Sequence, residues 1–272
     1  MVKGRVGLYL LCWLAAAAAF GIVTLQYVRI DNALGDTSLL TGYVLYCTIV
    51  FLALFNIRKR LSMLPVGRAA VWFAFHLVFG ILAIALFWLH TGTFWSIGLY
   101  EQVLMVLFYG TCVTGIAGYV LQRIIPSRLI QTEYEVIYER IPSEIADIRS
   151  EVESLILRCT DVSGADTLAR HYVETVDWFF RRPRFFTSHV FGLQSGEHWL
   201  HQNVGIVRRY LSEAELPFLD RLYALGVRKN RIDEHYALQS LMKRWLIIHL
   251  PFSTALIVLA TWHLIIVHVY AI

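Results

Sequence analysis

Four histidines stand where a histidine is costly. The chain has ten. His76, His90, His249 and His263 lie inside long apolar runs: Phe75-His76-Leu77, Leu89-His90-Thr91, Ile248-His249-Leu250 and Trp262-His263-Leu264. An ionisable side chain within a membrane span is expensive and marks a functional position by default. The spacing sharpens the point. His76 and His90 are 14 positions apart, and so are His249 and His263. On an α-helix, fourteen steps return to within about 40° of the starting face and rise by about 21 Å. Each pair therefore presents two imidazoles on one face, at two depths. Two such helices running the same way offer one imidazole each at each depth, and two axial imidazoles are a ligand set for haem iron. The expected pairing is His76 with His249 and His90 with His263, holding two haem b. The competing reading is that these are core histidines hydrogen-bonded to neighbouring helices. One isolated histidine would favour it; four at equal spacing on two helices argue against it.

The elements that must position these residues are membrane spans. Of 272 residues, 57% are hydrophobic and 16% charged, against about a quarter charged in a soluble domain. Five stretches reach the roughly 20 apolar residues that a span requires: 6–28, 39–57, 69–91, 98–122 and 245–270. The first has a basic start and the run Ala15–Ala19, but it is longer than a signal-peptide core, so a signal anchor is expected. The connection between the fourth and fifth spans is long and polar. Its residues 126–243 carry 15 Lys and Arg against 17 Asp and Glu, the composition of a folded helical insert. The expected organisation is spans one to four over 1–125, the insert over 126–243, and the fifth span over 244–272. The fold class expected is an all-α membrane protein, a five-helix haem-binding bundle with a mainly helical cytoplasmic insert between helices 4 and 5.

Basic residues near span ends set orientation. Lys3 and Arg5, then Arg58, Lys59, Arg60 and Arg68, then Arg123 and Arg128, then Lys243 and Arg244 all fall on one side if the N-terminus is cytoplasmic. The insert is then cytoplasmic and Ile272 lies outside. The third and fifth spans run in the same direction, as the pairing needs. His76 follows Arg68 by eight residues and His249 follows Arg244 by five, so both belong near the cytoplasmic end. Within the insert, helices are expected over 129–158, 166–180, 197–211, 213–225 (ending at Gly226), and from about 230 into the last span.

Other residues carry weaker signals. Gly80, one turn after His76, would let a flat macrocycle approach. Arg68, Lys243 and Arg244 suit the propionates of the inner haem, or ordinary positive-inside anchoring. Pro251 is placed to kink the fifth span. His268 lies about 140° from His263 around the helix, reading as an interfacial histidine or a donor-docking site. Glu101 and His268 are the outer-side candidates for taking quinol protons. His198 and His201 form H-x-x-H, but zinc needs two further ligands, and polar packing is favoured. The Arg181–Arg184 cluster reads as a solvated or lipid-headgroup surface. Cys12, Cys47, Cys112 and Cys159 form no C-x-x-C pair, which removes c-type haem, a zinc ribbon and a redox dithiol. No G-x-G-x-x-G or Walker loop occurs, so no bound nucleotide is indicated, and no nucleic-acid partner is expected.

The two histidine pairs on the third and fifth spans resemble the ferric reductase-like transmembrane domain, the haem-carrying core of ferric reductases and NADPH oxidases. The stretch from Arg244-Trp245-Leu246-Ile247-Ile248-His249-Leu250-Pro251 to His263 is also similar to the last haem helix of bacterial dihaem membrane cytochromes b. The resemblance covers the spans, about half of the chain. It implies two stacked haems between those helices. No sixth span and no flavin or NAD(P)H domain follow here, and the insert replaces the family's loop between helices four and five. Electrons are then expected from another subunit, or from quinol, and to leave toward a periplasmic carrier such as a multihaem cytochrome c, in a bacterial inner membrane. Two alternatives stay open: a stand-alone membrane reductase of ferric iron or oxygen, and a haem-free membrane sensor or assembly factor.

Overall fold

The computed structural model describes residues 2–60, 68–131 and 136–270, and the side chains of these except 2–6 and 56–60. The basic residues Lys3, Arg5, Arg58, Lys59 and Arg60, and the terminal Ile272, lie outside the described side chains. Among the described residues, ten α-helices follow one another: α1 Val2–Asn32, α2 Ser38–Arg60, α3 Ala69–Thr91, α4 Leu99–Gln131, α5 Ile141–Ser163, α6 Thr167–His171, α7 Asp177–Phe180, α8 Phe186–Phe191, α9 Ser195–Val207 and α10 Leu216–Tyr270. A π-helical turn, Tyr172–Val176, joins α6 to α7. This is an all-α membrane protein. Five of the described helices (α1, α2, α3, α4 and α10) are long and apolar enough to cross a membrane. A helix satisfies its backbone within itself, which is what a lipid environment demands.

The chain separates into two compact units, residues 1–119 with 246–272, and residues 120–245. In the first, α3 packs against α1 and α2. It buries Ala74, Val78, Leu82, Ala83, Leu86 and Phe87. Leu10, Leu14, Ile22, Val113, Ile116 and Val258 point outward and are exposed, as expected of helices that are apolar on every side. In the second unit, α5 is amphipathic. Ile141, Ile145, Ile148, Val152, Leu155, Ile156 and Cys159 share its buried face, at helical spacing. They pack with Leu168, Phe179, Phe180, Leu219, Leu222 and Leu225 into one core.

Three expectations for the insert are corrected. The single helix over 129–158 is interrupted: α4 continues through Pro126 to Gln131, and α5 begins only at Ile141. Pro142 stands in the first turn of α5, where its missing N–H costs nothing. The segment between the helices expected over 166–180 and 197–211 contains a further short helix, α8, which Gly192 ends at φ 73°, a conformation natural to glycine. The helix expected to end at Gly226 does not end there, because α10 runs on without a break. A Cβ at Gly226 would lie 2.7 Å from Leu200 Cδ2. The glycine makes room for a packed side chain rather than stopping a helix.

Candidate functional site

All four histidines are half-buried in the membrane unit. His76 and His90 are on α3, and His249 and His263 are on α10. Three have their Nδ1 atoms engaged by the protein. His76 Nδ1 lies 3.2 Å from the carbonyl oxygen of Leu52 on α2. His90 Nδ1 lies 3.0 Å from Thr41 Oγ1, also on α2. His249 Nδ1 lies 2.8 Å from Thr114 Oγ1 on α4. His263 is stacked on Tyr100 of α4, with ring centroids 5.9 Å apart and planes at 24°.

His90 and His263 come together. Both line one apolar cavity of about 400 Å³, walled by α2, α3, α4 and α10. Leu45, Phe87, Phe108 and Leu256 supply apolar wall, and Glu101, Tyr43 and Tyr46 supply polar groups. That volume and that mixture suit a ligand site. Tyr46 hydroxyl and Thr261 Oγ1 are 3.0 Å apart, and Tyr100 donates to Leu259 O at 2.9 Å. These bonds tie α10 to α2 and α4 beside the cavity. His76 and His249 do not line this cavity. His76 is held toward α2, its ring 5.1 Å from Phe55, and His249 is held toward α4.

A Cβ at Gly80 would meet nothing within 4 Å, whereas one at Gly42 would meet His90 Cε1 at 3.0 Å. At Gly115 it would meet His249 Cε1 at 3.7 Å, and at Gly110 the ring of Phe252 at 2.5 Å. The absent side chains let α2 and α4 approach the imidazoles. Thr41, Gly42, Thr114, Gly115 and Tyr100 were missed by sequence reasoning, since a threonine or glycine in an apolar run looks like ordinary helix packing.

Of the remaining candidates, Arg68 is exposed. Arg244 lays its guanidinium 4.8 Å from the ring centre of Phe186. Lys243 pairs with Glu139 at 2.6 Å. His268 meets the Tyr43 hydroxyl, with Nε2 at 2.8 Å. His198 is exposed, with Nε2 2.9 Å from Gln202 Nε2. Among the described residues, no three of His, Cys, Asp and Glu gather as a metal-ion site; a bis-imidazole haem asks for only two protein ligands. No protein family, no curated protein and no solved structure matches this chain.

Proposed function

We propose that this chain is a dihaem b-type membrane cytochrome subunit that carries electrons across the membrane. One observation carries the reading: two helices each place two half-buried histidines 14 residues apart, and His90 and His263 line one ligand-sized apolar cavity. The donor set fits haem b. With Nδ1 of a histidine turned to a protein acceptor, Nε2 is the nitrogen that would bind iron, the arrangement in which metal-ligating histidines are commonly oriented.

In this reading His90 and His263 hold the outer haem, and His76 and His249 the inner one. Bound haem supplies one-electron chemistry at iron, and the protein sets its potential through axial ligation, hydrogen bonding and burial. The chain's own contribution is to orient four imidazoles, surround them with apolar side chains, and keep water away. In this reading the N-terminus and the insert face the cytoplasm across a bacterial inner membrane, an orientation that the basic residues near the span ends support. Electrons would enter from quinol or a cytoplasmic-side partner and leave to a periplasmic one, such as a multihaem cytochrome c, within a complex of electron-transfer subunits. Glu101 in the cavity wall is placed to take a proton there. Arg68 and Arg244 remain candidates for the propionates of the inner haem.

A pyridine haemochrome assay on purified protein tests this, with haem counted per chain in wild type, His76→Ala and His263→Ala. Two haem b in wild type and about one in each variant are expected. A colourless protein, or variants with unchanged haem, would overturn the reading.

A further inference from the structure

The contacts of His90 and His249 repeat one another. Thr41 Oγ1 lies 3.0 Å from the carbonyl of Thr37, four residues back, and 3.0 Å from His90 Nδ1. Thr114 Oγ1 lies 2.7 Å from the carbonyl of Gly110, also four residues back, and 2.8 Å from His249 Nδ1. A glycine follows each threonine, and its missing Cβ faces Cε1 of the same imidazole, at Gly42 and Gly115. The Thr-Gly pair thus recurs on α2 and α4, helices that carry none of the four histidines. The chain's remaining Thr-Gly, Thr91-Gly92, does something else: Gly92 ends α3 at φ 61°.

We infer that Thr41-Gly42 and Thr114-Gly115 are positioning cradles for His90 and His249, each fixing its imidazole with the proton on Nδ1 and the lone pair on Nε2. The inference rests on the dihaem reading for its consequence at iron. A threonine hydroxyl has one proton and two lone pairs. Two oxygens at hydrogen-bond distance repel unless a proton lies between them, and a carbonyl cannot supply one. The hydroxyl proton is therefore committed to the carbonyl, and the hydroxyl meets the imidazole as an acceptor. A neutral imidazole has one N–H. With that proton on Nδ1, Nε2 is the basic nitrogen. His76 reaches the same tautomer directly, because the Leu52 carbonyl 3.2 Å from its Nδ1 can only accept. The threonine back-bond alone would mean little, since Thr24, Thr48 and Thr111 make it as well. What sets Thr41 and Thr114 apart is the imidazole on the second lone pair and the glycine beneath it. Thr41 is 1% exposed, so water does not substitute for it.

An acceptor on Nδ1–H raises the basicity of the ligating nitrogen, which favours ferric over ferrous iron. The test is Thr41→Val and Thr114→Val, which keep the branched shape and remove the hydroxyl, beside Thr41→Ser and Thr114→Ser, which keep the hydroxyl. Potentiometric titration and low-spin ferric EPR are read on the purified haem-loaded protein. Each Val variant is expected to keep two haems and to raise the potential of one, shifting its oxidised-to-reduced ratio about tenfold at fixed potential, about 59 mV for one electron. Its EPR g values move too, and Ser restores both. If a Val variant loses a haem that Ser retains, the cradle is upheld. Val variants with both potentials and g values unchanged would overturn it, as would Val and Ser variants that lose haem alike. A wild-type protein without haem fails the dihaem reading separately. In that case ¹⁵N NMR of His90 and His249 still decides the tautomer: Nδ1–H in wild type and a mixture in the Val variants upholds the cradle, and Nε2–H in wild type overturns it.

Discussion

Buried polar side chains in the insert show how strongly a single residue can bind pH to stability. His189 is 5% exposed, and its Nε2 has no hydrogen-bond partner among the described residues. Burial pushes its pKa down to about 4. The unfolded chain takes up a proton near pH 6.5 that the folded one refuses until about pH 4. Stability therefore rises with pH across that window and is flat above it, by about 3 kcal/mol in all. Asp233 works the other way. It is fully buried with Lys229 in an ion pair at 2.5 Å, and burial pushes its pKa up to about 6. The folded state takes that proton first, so this contribution falls as pH rises from about 4 to 6. The two partly cancel in the wild type, and His189→Gln separates them. Hydrogen exchange of the insert amides is expected to show the Gln variant losing less stability than wild type between pH 7 and pH 4.5. Equal losses would mean that His189 is hydrated in the folded state. The Lys229–Asp233 pair also clamps the backbone before α8: Lys229 donates to Arg182 O at 2.9 Å, and Asp233 accepts from Arg184 N at 3.1 Å.

At the scale of elements, glycine has two meanings in this chain. Gly92, Gly164 and Gly192 end α3, α5 and α8 at positive φ. Gly226 sits inside α10 and receives Leu200, which is fully buried. Helix propensity alone predicts that Gly226→Ala stabilises by up to about 1 kcal/mol. The contact predicts the opposite, because overpacking a filled core costs about 1–3 kcal/mol. A lower melting temperature for Gly226→Ala is expected, and a higher one would mean that Leu200 repacks freely. The same logic reaches the site through Gly42. Its replacement by valine puts a branched side chain where a Cβ already meets His90 at 3.0 Å. In the dihaem reading, Gly42→Val is expected to lose about one haem per chain while His76→Ala loses the other, so the double variant is colourless; one haem remaining in the double variant would place both changes at one haem. The insert boundaries were only partly legible at this scale. The break at Ser163–Gly164 and the end of the second helix before Arg181 were readable, because glycine and a Pro-Arg run punctuate the sequence. The continuity of α10 through Gly226 was not, because it depends on what packs beside that residue.

For the whole molecule, the basic span ends make one topological statement. In the proposed orientation the loops holding Asp36 and Phe94 face the periplasm, and the insert faces the cytoplasm. Alkaline phosphatase fused after Asp36 or Phe94 is expected to be active, and fused after Ser163 inactive. The reverse pattern would invert the membrane orientation and with it the assignment of inner and outer haems, while leaving the histidine pairing intact.

The sequence by itself determined the membrane spans, the helical insert and the common face of each histidine pair. Hydropathy over about 20 residues and the 100° step of a helix are local properties, so they survive without a fold. Only the tertiary structure decided what each imidazole touches. Thr41 lies 49 positions from His90, and Thr114 lies 135 from His249. Spacing along one helix names the face a side chain occupies, but the atom that completes its hydrogen bond comes from whichever helix packs there. That choice is made by van der Waals fit between helices, here through the glycines at 42 and 115, and a linear pattern does not contain it.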